Sequence, residues 1–220
     1  MISNIHLKKS KFKYLIINCI ILTFVFMSCT NMNYYDKEWS DEDRTYLQTN
    51  LQSTLDMIIE EIENLDDSQW DWRSSNDSWS VSMIIEHLNQ HDELFYRDVR
   101  VLTGLPEFPS VVQSDFAPDK VILSYKDITT ANTGSSPSYM EPNGRWCSKK
   151  EAIDAYVRSR GRLIEYVNST NSDLRKYYTS SGRGPTKYRD LHQLLLISVA
   201  HTMRHHKQIL DVKIEMKKSQ

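Results

Sequence analysis

Two pairs of histidines stand four residues apart in this sequence, at His87 and His91 and at His201 and His205. In a helix, a spacing of four places both side chains of a pair on one face, one turn apart. Each pair lies among apolar residues that recur with the helical period, which puts it on the predicted inner face of its helix. Packing of two such helices would bring the imidazoles to one place.

Clustered histidines of this kind can either bind a metal or pack in the core. A buried imidazole must be desolvated, and two neighbouring imidazoles repel each other when protonated. A divalent metal removes both problems, because neutral imidazole is a good ligand for zinc, nickel or iron. A single histidine on an apolar face is more often a hydrogen-bonded core residue, but four on facing stripes favour a metal. His192 and His206 lie off the inner face by the same helical projection.

The elements that must position these residues are four amphipathic helices. The first is predicted to begin at Ser40, a capping residue followed by three acids. The second starts near Ser80 and stops at Gly104, the third starts at Ser148, and the fourth covers about residues 189 to 216. Their predicted inner faces, in chain order, are Leu47, Leu51, Leu55, Ile58, Ile62 and Leu65; Ile84, Leu88, Phe95 and Leu102; Ile153, Val157, Ile164 and Val167; and Leu194, Ser198, Ile209 and Val212.

This pattern predicts an all-α fold, a four-helix bundle with a long crossover between the second and third helices. The crossover, residues 105–147, holds five of the six prolines. We expect it to cover one end of the bundle, with a short strand at residues 121–123. A connection of this length in a compact domain usually has a function or is partly disordered.

Three local features carry expectations of their own. Ser148 and Glu151 have the spacing of a capping box at the start of the third helix. Glu86 falls on the polar side of the second helix by projection, and we therefore expect it outside the metal site. Cys147, the only cysteine after Cys29, is expected to be a partly buried, inert thiol.

Composition limits the classes of function. Charged residues make up 25% of the chain and hydrophobic residues 40%, which is typical of a globular protein. The formal net charge is -2, and outside the N-terminus the lysines and arginines alternate with acids. Without a clustered basic face, the sequence does not favour nucleic-acid binding.

The N-terminus has the parts of a secretory signal. Four lysines precede an uncharged apolar run, residues 14–27, which is shorter than the ~20 residues of a membrane span. The run ends at Ser28-Cys29, and a cysteine directly after a small residue resembles the lipobox of bacterial lipoproteins. We predict export and lipid anchoring to the bacterial cell envelope, with an uncleaved N-terminal anchor as the alternative. The expected organisation is a signal peptide at 1–28, a tether at 29–39 after lipidated Cys29, and the helical bundle at 40–216.

Several segments between Asp66 and Val212 resemble one protein family. The most specific are the histidine segments of the second and fourth predicted helices. They are similar to the WSV…EHL and HxxRHxxQI segments of the DinB-like (DinB/YfiT) superfamily of four-helix-bundle, metal-dependent enzymes. The segments that carry the resemblance are Trp70-Asp71-Trp72-Arg73, Asp77-Ser78-Trp79-Ser80-Val81, Ile84-Ile85-Glu86-His87-Leu88, Gly144-Arg145-Trp146 with residues 149–164, and His201-Thr202-Met203-Arg204-His205-His206-Lys207-Gln208-Ile209.

The resemblance implies a divalent metal, zinc by preference and nickel or iron otherwise, held by His87, His201 and His205. Three protein ligands with one open position are typical of catalytic rather than structural sites. No side chain is assigned as a catalytic group, and the resemblance implies a water on the metal as the nucleophile. His91 is outside the family pattern, and a plain core role suits it equally well. The side chains expected to surround and orient the site are His91, Arg204 and Gln208.

The resemblance leaves three functions open. Metal-dependent hydrolysis of a small molecule is favoured, because it needs no diffusible cofactor and therefore suits an exported protein. Some members of the family transfer low-molecular-weight thiols to small electrophiles, but such thiols are mainly cytosolic. A non-catalytic lipoprotein that binds a metal or a small ligand is the third function, since no nearby acid stands out as a general base. A homodimer is left open.

Overall fold

The computed structural model describes residues 37–107, 115–127, 138–180 and 188–219. The predicted signal peptide at 1–28 and Cys29 lie outside the described residues. None of the helices in the described ranges is both long and apolar enough to cross a membrane. The helices are α1 (Asp41–Ile62), α2 (Asp67–Trp70), α3 (Val81–Leu102), α4 (Asp119–Leu123), α5 (Lys149–Ser169) and α6 (Leu191–Lys218), and the strands are β1 (Tyr178–Ser180) and β2 (Tyr188–Asp190).

Each of the four long helices begins at a side chain that accepts a hydrogen bond from a backbone N–H of the first turn. The predicted starts are confirmed for α1, α3 and α5, which are capped by serines. The predicted capping box of α5 is only half formed. Glu151 accepts from the backbone N–H of Cys147 at 3.1 Å, not from that of Ser148. The four capping residues are Ser40, Ser80, Ser148 and Asp190.

The four long helices form the predicted all-α bundle, in which α1 and α3 each pack against both α5 and α6. The long helices α1 and α3, which follow each other in the chain with only the short α2 between them, therefore lie at opposite corners of the bundle. Asn89 of α3 bonds to Ser159 of α5, and Thr103, the residue that follows α3, bonds to Tyr166 farther along α5, so these two helices are parallel. A parallel pair needs a connection that returns along the bundle, which explains the long crossover between α3 and α5.

The core consists of two apolar clusters separated by a buried polar layer. Leu47 and Leu51 of α1 belong to the first cluster, whereas Ile58 and Ile62 belong to the second. The same change from one cluster to the other occurs along α3, α5 and α6. The buried polar side chains between the clusters are Thr54, Asn89, Asp92, Ser159, Arg160, Ser198, Thr202 and the three histidines of the predicted metal site.

The predicted inner face of α5 is wrong. Val157 is 40% exposed, and Ile153 and Ile164 are only partly buried, although Val167 is buried as predicted. The helix instead turns small and polar residues inward, because they meet the buried polar layer. The residues that α5 buries are Ala152, Ala155, Tyr156, Ser159, Arg160, Leu163 and Val167.

The strand expected at residues 121–123 is also wrong, because this segment is part of α4. Pro118 precedes the helix in an extended conformation, and of the three residues only Ile122 is buried. The short antiparallel pair β1 and β2, which precedes α6, was not predicted. Cys147 is exposed, not partly buried.

Part of the crossover lies where α1 and α6 begin. Asp119 of α4 pairs with Lys37 and Arg175 at this end of the bundle. Lys37 and Trp39 belong to the predicted tether, and the Trp39 backbone N–H donates to Asp173 at 3.1 Å. These last tether residues therefore contact the bundle.

Candidate metal centre

The structure brings the Nε2 atoms of His87, His201 and His205 together. The His201 atom lies 3.1 Å from that of His87 and 3.0 Å from that of His205. All three side chains are buried, with 5% or less of their surface exposed. The i, i+4 spacing on α6 supplies two of the rings, and the antiparallel contact with α3 supplies the third.

Hydrogen bonds at the far side of two rings determine which nitrogen faces the cluster. His87 donates from Nδ1 to the carbonyl oxygen of Met140 at 2.8 Å. His205 donates from Nδ1 to Oε1 of Gln208 at 2.8 Å. A neutral ring that carries its proton on Nδ1 has an unprotonated Nε2. Both rings therefore present a lone pair to the cluster, and the contact with Gln208 fixes the orientation of the His205 ring.

Three converging nitrogens of this kind suit a cation. His201 can supply at most one proton to its two close contacts, so one pair of nitrogens is left about 3 Å apart without a proton between them. Two nitrogens bound to one tetrahedral ion at about 2.05 Å lie roughly 3.3 Å apart, which is close to the observed separation. The residues therefore fit a divalent metal with imidazole ligands.

The electrostatic surroundings keep these rings neutral. Burial lowers the pKa of His87, and it lowers the pKa values of His201 and His205 well below the usual range. The positive charge of Arg204 lowers all three pKa values further. Neutral imidazole is the form that binds a metal, so burial prepares the cluster for an ion.

His91 lies beside the three histidines without joining them. Its ring stacks on that of His201 at a centroid distance of 3.9 Å and contacts Phe95 at 4.1 Å. Only His87, His201 and His205 form a cluster with metal-ligand spacing on this side of the described bundle. His91 thus packs against the ring of His201 and is not part of the three-histidine cluster.

Two aromatic residues near the site were not predicted to be part of it. The Trp79 ring is nearly parallel to that of His205, with centroids 6.2 Å apart, and it lies 5.0 Å from His87. Tyr125, from the turn after α4, stacks on His201 at 6.0 Å. Tyr125 had no signal in the sequence, because it lies in the crossover and its place depends on tertiary packing.

Glu86 is buried, which contradicts the predicted polar position. Only 4% of its surface is exposed, and its carboxylate accepts backbone N–H groups of residues 143–145 at 2.9–3.2 Å. The Glu86 carboxylate thus holds residues 143–145 in place. These residues closely follow Met140, whose carbonyl orients His87. A helical projection could not find this role, because the donors come from the distant crossover.

The acids next to the histidines in sequence are both engaged elsewhere. Glu86 binds the crossover backbone, and Asp92 accepts hydrogen bonds from Arg160 at 2.8 Å and Ser198 at 3.0 Å. Among the described residues, no aspartate or glutamate joins the three histidines within metal-ligand spacing. Neither of these two acids is therefore free to act as a base at the histidines.

A second group of possible ligands, Asp43, Asp119 and His192, lies where α1 and α6 begin. Arg175 is fully buried there and donates to Asp43, Asp119 and Asp190. Nδ1 of His192 accepts a hydrogen bond from the Trp39 indole at 3.1 Å. Arg175 and Lys37 both pair with Asp43 and Asp119, so this group is an ion-pair network that ties the helix starts together.

Comparison with known proteins agrees with this architecture. The sequence profile of the DinB superfamily matches residues 50–209. Among solved structures, the chain is similar to YfiT from Bacillus subtilis, described as a probable metal-dependent hydrolase with an unusual four-helix bundle topology. The two share 16% identity and a TM-score of 0.54 over 86% of this chain and 99% of that one, a likeness that concerns the fold. No curated protein sequence matches this chain significantly.

The matched region covers α3, α5 and most of α1 and α6, including all three histidines of the site. This chain therefore belongs to the DinB superfamily, and the family resemblance found in its sequence is confirmed.

Proposed function

We propose that this member of the DinB superfamily is a metal-dependent hydrolase of a small molecule, with His87, His201 and His205 as the metal ligands. The observation that carries the proposal is the convergence of three Nε2 atoms, two of them held unprotonated by bonds at Nδ1. The description of YfiT as a probable metal-dependent hydrolase supports the same reaction class.

A divalent metal with an open position acts as a Lewis acid, and it activates water for attack on a carbonyl or phosphoryl centre. The chain's own residues supply orientation and surroundings. Met140 and Gln208 hold two ligand rings in place, and such outer contacts strengthen metal binding. Trp79 and Tyr125 flank the ligand rings.

A non-catalytic metal-binding protein is the second candidate. The observation that favours it is the engagement of Glu86 and Asp92 in other contacts, which leaves no evident carboxylate base among the described residues. Thiol transfer, a third activity within the family, requires a thiol cofactor that is mainly cytosolic.

We further propose that the protein is exported and anchored by a lipid on Cys29. The support is the lysine-rich start, the apolar run at residues 14–27 and the Ser28-Cys29 pair. Mass spectrometry of the mature protein tests this, because a chain that begins at unmodified Met1 would contradict it.

Metal content and hydrolysis test the main proposal together. The wild type is expected to bind one equivalent of zinc or cobalt and to hydrolyse at least one member of an ester and amide panel. His201→Ala is expected to lose both properties. His206→Ala is the matched control, because His206 neighbours His205 but lies 3.8 Å from Glu61, away from the cluster.

The outcomes separate the candidates. Metal binding without hydrolysis of any panel member favours the binding protein. Full metal content in His201→Ala would show that the ligand assignment is wrong.

A further inference from the structure

We propose that Arg204 forms an oxyanion-binding subsite beside the three histidines, and that the substrate carries a carboxylate or phosphate group which Arg204 recognises. The inference rests on the proposed function, because it names the substrate class for the same site.

Arg204 lies on α6 between two of the proposed ligands. Its Nη2 is 3.3 Å from Nε2 of His205, and its guanidinium carbon is 5.8 Å from the centre of the Tyr125 ring. The guanidinium is therefore at the edge of the cluster. His205 Nε2 cannot bind a metal and accept from Arg204 with the same lone pair, so metal binding would release Nη2 for another acceptor.

Two further donor atoms of Arg204 lack acceptors among the described residues. Its Nε and Nη1 atoms are buried, and neither has a hydrogen-bond partner within the described part of the chain. Buried guanidinium N–H groups without acceptors are costly, because the water they lose is not replaced. The arrangement indicates that an acceptor comes from outside the described chain.

The two fully buried arginines of the described chain show the usual arrangement, whereas Arg204 as a whole is only partly buried. Arg160 is paired with Asp92, and Arg175 with three aspartates. No ion pair to Arg204 occurs among the described residues. Arg204 thus differs from the buried arginines that stabilise the fold, and its Nη2 atom lies 3.3 Å from Nε2 of His205, a proposed metal ligand.

The charge of the site favours an anion. Neutral histidines leave the charge of a divalent metal uncompensated, and Arg204 adds another positive charge beside it. An oxyanion between them satisfies both, and the planar fork of a guanidinium matches the oxygens of a carboxylate or phosphate. An uncharged substrate would leave two cations next to each other in a largely buried site.

Anion binding tests the subsite without an enzymatic assay. Cobalt-loaded wild type, Arg204→Gln and Arg204→Lys are titrated with acetate, phosphate and uncharged acetamide at constant ionic strength, and visible absorption is recorded. Arg158→Gln is the matched control, because Arg158 is exposed and its replacement removes the same charge. Circular dichroism and metal analysis establish that each variant is folded and loaded.

We expect Arg204→Gln to bind the oxyanion roughly 10- to 100-fold more weakly than the wild type, since a hydrogen bond to a charged group is lost. Arg204→Lys should lose less, and Arg158→Gln should match the wild type. The acetamide affinity should not change. The stronger of the acetate and phosphate effects tells a carboxylate substrate from a phosphate one.

Equal oxyanion affinity in the wild type and Arg204→Gln, with full cobalt content in both, would overturn the inference and leave the metal centre intact. Failure of the wild type to bind cobalt would overturn the proposed function instead. In that case the thermal shift of the metal-free proteins decides the subsite. Acetate or phosphate should stabilise the wild type more than Arg204→Gln, and an equal shift would overturn the subsite.

Discussion

The carboxylate of Asp92 and the guanidinium of Arg160 form a 2.8 Å ion pair in the middle of the bundle, where 1% and 0% of their side chains are exposed. The pair joins α3 to α5 within the polar layer that separates the two apolar clusters. Nη2 of Arg160 also donates to Thr202, the neighbour of a proposed metal ligand, at 2.6 Å. The core of this protein is thus built around a satisfied charge.

Removing one partner of this pair should be strongly destabilising. Asp92→Asn leaves the buried Arg160 without a counter-charge, and we expect the free energy of unfolding to fall by about 3–5 kcal/mol. Urea denaturation measures the change. The control is Glu93→Gln, because Glu93 pairs with Arg162 between the same helices but on the exposed surface. That substitution should change stability by less than about 1 kcal/mol.

A double variant shows whether charge or shape is responsible. Asp92→Leu with Arg160→Met removes both charges and retains apolar volume, so it should be less destabilising than the sum of the two single substitutions. Additive effects would contradict the pairing.

Glu86→Gln should loosen the crossover segment at residues 143–145. An amide replaces one carboxylate oxygen, so backbone N–H groups now bound at 2.9–3.2 Å lose acceptors. We expect a loss of about 1–3 kcal/mol and faster hydrogen exchange at these amides. Glu60→Gln, at an exposed position on α1, is the control. Unchanged exchange at residues 143–145 would show that Glu86 does not hold the segment.

Buried His192 should make stability dependent on pH. Burial, and then the charge of Arg175, lowers its pKa from 6.5 to about 3. Below pH 6.5 the unfolded chain binds a proton at His192 that the folded protein does not bind. As the pH is lowered, the free energy of unfolding therefore falls by about 1.4 kcal/mol per pH unit until the folded pKa is reached. Above pH 6.5 both states are neutral, and this contribution is constant.

Urea denaturation of the wild type and His192→Gln at pH 7 and pH 5 checks this expectation. Between these values the variant should lose about 2 kcal/mol less than the wild type. Protonation at Nδ1 would break the bond from Trp39, so the fluorescence of the folded wild type should stay constant between pH 7 and pH 5 and change only near pH 3. Identical pH dependence of the two proteins would contradict the prediction.

Two glycines should respond in opposite directions to alanine. Gly144 has a φ of 75°, a conformation that L-residues rarely adopt, so Gly144→Ala should cost roughly 1 kcal/mol. Gly161 lies within α5, and an added Cβ meets no atom within 4 Å. Gly161→Ala should therefore stabilise the helix by roughly 0.5–1 kcal/mol. Thermal denaturation of both variants tests the contrast.

The sequence was sufficient for the architecture and for three histidines of the site. Helix starts at Ser40, Ser80 and Ser148 are local events, because a side chain caps the N–H groups that follow it. The inward faces of α1 and α6 were readable because apolar residues repeat with the helical period. The pairing of His201 with His205 follows from the same period.

Only tertiary structure decided which groups surround the site. The inner face of α5 was misjudged because Arg160 and Ser159 point into a polar layer that exists only when four helices meet. Glu86 appeared to be on a polar surface, yet backbone from the crossover covers it. Tyr125 and the Met140 carbonyl come from the same crossover.

The difference has a physical cause. Helical periodicity and capping depend on neighbours a few residues away, so they can be predicted from the local sequence. The partners of Arg204 and the atoms around His201 depend on segments far apart in the chain. Their packing, and not their order in the sequence, sets what the proposed metal site can bind.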